Sequence, residues 1–331
     1  MNKLLTIIIP AYNVSEYIDE CIQSLVSNPD NLDLIDIIAI NDGSKDDTLI
    51  KMQKYEKMYP SAVRVIDKEN GGHGSGINRG ILEAQGKYLK VLDSDDWVDN
   101  EGFTNLVSFI QESKESPDII INPFDYVWQP DGRLERSDFP LLKDGQIYSF
   151  KEINENDYLI SLHALTIKTD IFKNNSIPQI DEHISYDDVE YVLYPVPYIN
   201  SIAYLDKVIY KYRYGTQGQS VSPANYIKRR SNHKLVINKL IEYYNERKNQ
   251  FSDDQTFYFN NRLKWMITLN VNILLSMDDS KLGKKEMIEF VDSCKTFDLS
   301  IVPNGKLHFL IKHNYRWYSL VSWYYRKMKS K

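Results

Sequence analysis

Three carboxylates fall within four positions in Asp93-Ser94-Asp95-Asp96, preceded by the apolar run Tyr88-Leu89-Lys90-Val91-Leu92 and closed by Trp97-Val98. Carboxylates this close repel one another unless a cation neutralises them, and hard divalent cations prefer oxygen ligands. The approach has the β-branched and aromatic composition of a strand. The acids then stand at a strand's end, where open α/β sheets bind ligands. The same residues also suit a turn that caps a following helix, because Asp and Ser are good N-caps. A second acidic group comes further on, in Asp181-Glu182-His183-Ile184-Ser185-Tyr186-Asp187-Asp188-Val189-Glu190. Acids opening a helix can serve general acid–base chemistry or merely complement the positive end of its dipole.

These groups need a scaffold, and the flanking sequence supplies one. Residues 4–9 are a continuous aliphatic run, as in a strand buried on both faces of a parallel sheet, and Pro10-Ala11-Tyr12-Asn13 is expected to end it. Ser15 is placed to cap a helix running to about residue 27. A second run, residues 35–40, leads into Asn41-Asp42-Gly43-Ser44. A third, residues 63–66, leads into the glycine-rich loop Asn70-Gly71-Gly72-His73-Gly74-Ser75-Gly76. Helical periodicity follows each. Strand, polar loop and helix with short links argue for βαβ crossovers, so every loop opens on the same edge of a parallel sheet. The glycine-rich loop has the composition of an anion cradle, since glycines let backbone N–H groups approach a phosphate. It lacks the Gly-Lys-Ser/Thr ending of a nucleotide-hydrolase loop. Asp42 offers a carboxylate to a base or ribose and Tyr12 a ring for stacking, though each also suits an ordinary turn or rim.

With 331 residues, 42% of them hydrophobic, the chain can build one large domain with an appendage. A net charge of -6 argues against a general nucleic-acid binder. Cys21 and Cys294 lie far apart with no ligand spacing, as expected of a reduced, cytoplasmic protein without disulfides. The N-terminal apolar run is too short for a signal peptide, and no stretch approaches the roughly 18 apolar residues that span a bilayer. From Tyr226 onward the periodicity is helical. One stripe is Leu235, Ile237, Leu240, Ile241 and Tyr244; another is Leu263, Met266, Ile267, Val271 and Leu274.

Taken in order, four groups of residues resemble the family 2 glycosyltransferases over about residues 3–100. They are Ile7-Ile8-Ile9-Pro10-Ala11-Tyr12-Asn13, then Asn41-Asp42-Gly43-Ser44 with Asp47-Thr48, then Asn70-Gly71-Gly72 with Asn78 and Gly80, then Asp93-Ser94-Asp95-Asp96-Trp97. The resemblance implies a GT-A fold, an α/β Rossmann-like αβα arrangement with a mostly parallel central sheet, here carrying a helical C-terminal appendage. The nucleotide-sugar-binding and catalytic domain is expected over residues 1–222 and the helical region over 223–331. The implied activity is inverting transfer of a single sugar from a nucleotide-diphosphate donor to a hydroxyl of a glycan or lipid-linked acceptor. A UDP-sugar is the expected donor and bacterial surface-polysaccharide synthesis the expected setting.

By the same resemblance, Pro10, Tyr12 and Asp42 form the nucleoside pocket, and Asn70, Gly72, His73, Asn78, Arg79, Asp93 and Ser94 lie toward the diphosphate. Asp93 and Asp95 match the DxD motif that holds the diphosphate-bound Mg²⁺ or Mn²⁺. Asp188 matches the base that takes the acceptor's proton, with Asp187 where many relatives have Glu. The Tyr-rich run 208–214 and the loop 215–222 look like the family's strand and donor flap, making Arg213 and Gln219 candidate contacts to phosphate or sugar. His163 and His183 either line an acceptor pocket or are ordinary structural histidines. One departure stands out. Many relatives carry Ala-Arg before the Asn that Asn78 matches, with the Arg near the diphosphate; this chain has Gly76-Ile77. Arg79 or His73 is left to supply the contact, or metal and backbone suffice.

Two other classes compete. A nucleotidyltransferase also binds nucleotides on an αβα sheet with acidic metal ligands, and would release pyrophosphate from a nucleoside triphosphate and a sugar phosphate. An inactive sugar-nucleotide-binding scaffold would have no need of Asp93, Asp95 and Asp188. The end of the chain is a separate signal. After Asp298 no acidic residue occurs, while Lys306, Lys312, Arg316, Arg326, Lys327, Lys329 and Lys331 are interleaved with Phe309, Trp317, Leu320, Trp323 and Tyr324. Trp and Tyr favour the bilayer interface and Lys and Arg its anionic headgroups. The tail is expected either to hold the protein at the inner face of a membrane or to be a terminal helix whose aromatics pack on the catalytic domain or on a second subunit of a homo-oligomer.

Overall fold

The computed structural model describes residues 3–216 and 222–329, so Gln219 lies outside the described residues. The chain divides into two compact units, Met1–Gln217 and Gly218–Lys331. Among the described residues the first holds strands β1 (Leu5–Ala11), β2 (Ile35–Asp42), β3 (Val63–Lys68), β4 (Tyr88–Val91), β5 (Trp97–Val98), β6 (Ile119–Ile121), β7 (Phe124–Trp128), β8 (Leu134–Ser137), β9 (Ile147–Tyr148), β10 (Leu165–Lys168), β11 (Ile202–Tyr204) and β12 (Tyr210–Tyr214). Its helices are α1 (Ile18–Val26), α2 (Thr48–Met58), α3 (His73–Glu83), α4 (Asn100–Glu112), α5 (Phe150–Glu155), α6 (Thr169–Asn174) and α7 (Asp188–Leu193).

The main sheet has the order β3-β2-β1-β4-β10-β6-β11-β9. β1 is parallel to β2 and β4, β2 to β3, and β6 to β11, while β10 runs against β4 and β6 and β9 against β11. All residues of β1 and β2 are buried, which is why both read as aliphatic runs rather than as alternation. The chain moves outward from β1 to β2 and β3 through α1 and α2, which pack on each other. It then crosses back over β2 and β1 through α3 to reach β4. The winding reverses between β1 and β4, and such a reversal opens a crevice at the strands' carboxyl ends. A second sheet, β5-β12-β7-β8, stands beside it. Residues 92–96, the acidic turn, link β4 of the first sheet to β5 of the second.

The structure revises several local expectations. Pro10 does not end β1, which runs on through Ala11. Leu92 N–H donates to the Ile8 carbonyl at 2.9 Å, so positions 8 and 10 face β4, whose ladder stops at Val91. Pro10 thus sits just past the end of the ladder with β4, where its missing N–H interrupts no pairing. Ser15 does not cap α1, which begins at Ile18 without a side-chain cap; Ser15 N–H is held instead by Asp46 Oδ2 at 3.1 Å. The glycine-rich stretch is a loop only through Gly72, because α3 starts at His73. Its later glycines serve packing. A Cβ on Gly76 would lie 2.8 Å from Pro10 Cβ and one on Gly80 2.3 Å from Ile8 Cγ2, so the two together let α3 lie close on β1.

The second unit is helical among its described residues: α8 (Pro223–Lys228), α9 (Arg230–Arg247), α10 (Asp253–Leu275), α11 (Ser280–Ser293), α12 (Gly305–Lys312) and α13 (Tyr318–Lys329). A Ser252–Gln255 capping box opens α10, which buries the expected Leu263, Met266, Ile267, Val271 and Leu274. α9 buries Val236 and Tyr243 along with Ile237, Leu240 and Ile241, while Leu235 is exposed and Tyr244 only half-buried. The ends of the expected stripe are thus shifted, Leu235 giving way to Val236 and Tyr244 to Tyr243, as α9 packs on α10. Side chains of α13 finish the carboxyl end of α10. Tyr318 O–H donates to the Leu274 carbonyl at 2.6 Å, Ser322 O–H to Leu275 at 2.8 Å, and Arg326 Nη1 to the Met277 carbonyl just beyond at 2.5 Å. Among the described residues no helix is long and apolar enough to cross a membrane.

Candidate active site

The loops after β1 and β2 are tied to each other. Asn13, at φ +53°, donates its backbone N–H to Ser44 Oγ at 3.0 Å and accepts Lys45 N–H on Oδ1 at 2.7 Å. Tyr12 stands half exposed at the rim, and Pro10 is buried beneath α3. Asp42 is buried and turns its carboxylate to the third loop. Oδ1 accepts Gly71 N–H at 2.9 Å and Lys68 Nζ at 2.7 Å, and Oδ2 accepts Gly72 N–H at 2.8 Å. Asn70 Nδ2 donates to the Asp42 carbonyl at 2.8 Å. Asp42 and Asn70 thus shape the glycine loop. Gly72, at φ +88°, occupies a conformation that favours glycine, and a Cβ there would lie 2.9 Å from the His183 nitrogen.

The second acidic stretch sits directly on that loop. His183 N–H donates to the Gly71 carbonyl at 2.7 Å. Asn78 grips Ile180 with both ends of its amide, each at 2.8 Å, so its side chain positions this stretch. His183 and Tyr186 hold φ of +58° and +72°, conformations that cost a non-glycine residue about 1 kcal/mol or more and persist only where the surroundings fix them.

This docking brings Asp187, the buried N-cap of α7, to the first residue of α3. His73 Nδ1 is 2.9 Å from Asp187 Oδ2, and His73 Nε2 is 3.0 Å from Asp93 Oδ1. Both ring nitrogens face carboxylate oxygens, the arrangement of a doubly protonated imidazole. Burial opposes the charge, but Asp187 and then Asp93 outweigh it and hold His73 well above its ordinary value. About a third of the His73 side chain remains exposed, so solvent screens part of this. His73 in turn keeps the Asp93 carboxyl below its ordinary value against the effect of burial. Asp188 is half-buried at the first position of α7. After burial, the charges of Asp93, Asp96, Asp95 and Asp188 together raise the Tyr212 phenol, so acids of both stretches act on the same group.

Within the acidic turn the carboxylates differ. Asp96 is buried, accepting Tyr210 O–H on Oδ2 and Arg213 N–H on Oδ1, each at 2.7 Å. The Tyr210 oxygen also accepts Asp93 N–H at 3.1 Å. Ser94 is buried between them. Asp95 is half-buried, and among the described residues its carboxylate accepts no hydrogen bond from another residue. Burial and then the charge of Asp93 raise it to about 6. Arg213 braces the turn from outside. Its Nε donates to the Asp95 carbonyl at 2.8 Å, its Nη2 meets Glu20 at 2.5 Å, and it lies between the Tyr17 and Trp97 rings. Arg79 is exposed and paired with Glu83 at 2.7 Å, so of the two substitutes for the missing arginine it is His73 that stands among the acids.

His163, just before β10, stacks on Tyr212 with ring centroids 4.4 Å apart. The buried Lys90 donates to the His163 carbonyl at 2.8 Å and fixes its backbone. Burial pushes the His163 imidazole down to about 4 against the pull of Asp93, so it is neutral and suited to metal coordination. Its Nδ1 is buried without a hydrogen-bond partner among the described residues. Asp93, Asp96 and His163 each bring one ligand atom within 4.8 Å of the others. This donor set fits a divalent cation. Asp96 already accepts a bond on each oxygen, so Asp93 and Asp95 are the carboxylates with more capacity to spare. In the sequence Asp96 is only one of the crowded carboxylates and His163 a candidate for the acceptor pocket, while Tyr210 and Tyr212 are marked only by a Tyr-rich run. Nothing local ties that run or His163 to the acids.

A model described as glycosyl transferase family 2 matches residues 6–175, just over half of the chain. The minor teichoic acid biosynthesis protein GgaB of Bacillus subtilis (strain 168) is 25% identical over 319 residues, covering 93% of this chain and 34% of GgaB. The chain spans about a third of the length of the first curated relatives it matches. The crystal structure of S. aureus TarS 1-349 in complex with UDP-GlcNAc superposes with a TM-score of 0.70 at 21% identity, covering 98% of this chain and 92% of that one. The mannosyltransferase PcManGT from Pyrobaculum calidifontis, in complex with GDP-Man and Mn2+, has a TM-score of 0.54 at 10% identity, covering 100% of this chain and 89% of that one.

Proposed function

Because this chain belongs to glycosyl transferase family 2, we propose that it is an inverting glycosyltransferase that moves one sugar from a UDP-sugar to a hydroxyl acceptor. The acceptor is a glycan or a lipid-linked saccharide, in cell-surface polysaccharide synthesis. The observation that carries this reading is the His73 bridge, which joins the acidic turn after β4 to the acidic start of α7 at the sheet's switch point. A donor bound at the turn would thereby face the acid that must act on the acceptor. The likeness to GgaB supports the setting, and the UDP-GlcNAc complex of the TarS neighbour supports the choice of nucleotide.

In this reading the first unit is the catalytic domain. Tyr12 stacks on the base above Pro10, and the loop shaped by Asp42 and Asn70 borders the diphosphate. Asp93 and Asp95 would hold Mg²⁺ or Mn²⁺, with Asp96 and His163 as further candidate ligands; the cation would supply Lewis-acid stabilisation of the leaving diphosphate. His73 adds positive charge on the side where relatives place an arginine. Asp188 takes the acceptor hydroxyl's proton, and Asp187 orients His73. We place the reaction at the cytoplasmic face of the membrane, where a lipid-linked acceptor would meet a nucleotide donor.

The test is a screen of sugar nucleotides for hydrolysis without acceptor, with UDP and GDP release measured separately. UDP release that needs Mg²⁺ or Mn²⁺ and stops in EDTA is expected. Pyrophosphate release from UTP and a sugar phosphate, with no sugar-nucleotide hydrolysis, would instead make the protein a nucleotidyltransferase.

A further inference from the structure

We infer that α12 and α13 present a surface that docks on an anionic lipid bilayer, an interaction beyond the transfer reaction itself. The two sides of α13 have separate tasks. Tyr318, Ser322 and Arg326, at intervals of four, face inward and satisfy the carbonyls at the end of α10. The outer side carries Leu320, Trp323, Tyr324 and Met328, each more than half exposed, and Trp317 is exposed in the turn just before the helix. Positions 320, 324 and 328 follow helical spacing, so they form one stripe. α12 adds the exposed Phe309, one turn from Lys306, whose Nζ lies 5.2 Å from the centre of the Tyr325 ring of α13. Large apolar side chains grouped this way mark an interaction site rather than an ordinary surface.

Charge identifies the occupant. The seven Lys and Arg after Asp298 leave 33 basic against 46 acidic residues in the rest of the chain, so this stretch of sequence is basic, and of these Lys306, Lys312, Arg316 and Lys327 are exposed. Lys327 Nζ lies 5.0 Å from the centre of the Trp323 ring, and the Arg316 guanidinium lies 5.6 Å from that of Trp317. Lys306 and Lys312 are exposed on α12. The neighbouring α11 is balanced, with Lys281, Lys284 and Lys285 against Glu286, Glu289 and Asp292. Trp and Tyr settle at the headgroup level of a bilayer, and exposed cations are drawn to its anionic lipids, each contributing about fivefold to partitioning. Among the described residues no helix is long and apolar enough to cross a bilayer, and the contact we infer is an interfacial one.

The test is flotation of the full chain with vesicles of phosphatidylcholine alone or mixed with phosphatidylglycerol, at low and high salt. Binding to the mixed vesicles is expected, with loss at high salt and little binding to phosphatidylcholine alone. Reversing Lys312 and Lys327 to Glu should weaken it at least about tenfold, and so should Trp323→Ser with Tyr324→Ser. Circular dichroism and acceptor-free sugar-nucleotide hydrolysis should be unchanged in both variants, which separates this surface from the catalytic reading. Absence of binding to anionic vesicles at low salt, or binding that survives both variants, overturns the inference. A dimer that the serine variant dissolves, with no vesicle binding, assigns the face to a second copy instead.

Discussion

The acidic turn after β4 and the acidic start of α7 lie far apart in sequence, yet they are built on one plan. In each, two adjacent aspartates divide the work. Asp96 is buried and bonded to Tyr210 and Arg213, while Asp95 beside it is half-buried with a raised carboxyl. Asp187 is buried against His73, while Asp188 beside it is half-buried near Tyr212. In each pair one acid is buried and bonded to a distant residue, and its neighbour is half-buried. In the proposed reaction the half-buried acid of each pair acts, and the buried acid beside it helps fix the stretch that carries both.

Isosteric amide substitution separates the partners. Asp95→Asn should lower sugar-nucleotide hydrolysis by about 10³-fold or more and abolish the metal-dependent part of UDP binding in calorimetry, as expected when a ligand to the leaving group's cation is lost. Asp96→Asn should act mainly on stability. Asn has one acceptor oxygen for two donors, Tyr210 O–H and Arg213 N–H, so a loss of about 1–3 kcal/mol in chemical denaturation is expected. If Asp96→Asn loses metal-dependent binding while Asp95→Asn keeps it, the Asp93–Asp96–His163 set is the one that holds the cation.

The second pair should split differently. Asp188→Asn should reduce transfer by about 10²-fold or more with donor affinity nearly unchanged, the pattern of a lost general base. Asp187→Asn removes one partner of His73 and should show up first as a lower melting temperature. An inactive Asp187→Asn beside an active Asp188→Asn would exchange their roles.

Smaller effects probe how the two stretches are held. A Cβ on Gly74 would lie 2.2 Å from the Asp181 carbonyl, a contact that backbone must move to relieve. Gly74→Ala should cost about 1–3 kcal/mol and push the α7 acids away from His73, lowering turnover as well. Unchanged turnover at reduced stability would show that the spacing between the stretches is not critical.

The smallest effect belongs to Asp46, which ties the first loop to the second. Burial works against it, but bonds from Thr48 and Ser15 draw its carboxyl from 3.8 down to about 2. A depressed folded value contributes stability that is present above the unfolded value and lost as pH falls through the folded one. Asp46→Ala should therefore cost about 1 kcal/mol at neutral pH, reduced by its exposure, and the deficit should vanish between pH 4 and 2. A deficit that persists at pH 2 would assign the effect to packing.

Local sequence determined a good deal about this protein. Aliphatic runs before polar loops marked β1, β2 and β4, because a strand buried on both faces must be apolar throughout. The order of the loop motifs carried the family, since each motif is read along one short stretch. Tertiary structure alone decided which member of each acidic pair is the fastener, because the fastening partners Tyr210 and Arg213 lie 114 and 117 residues from Asp96, and Asp187 lies 114 from His73. It also decided that the glycines of α3 serve close packing, that Arg79 turns outward, and that His163 joins the acids. Residue type and spacing say what a side chain can do. Which of those things it does depends on what the fold puts within about 3 Å of it, since hydrogen bonds act only over that range.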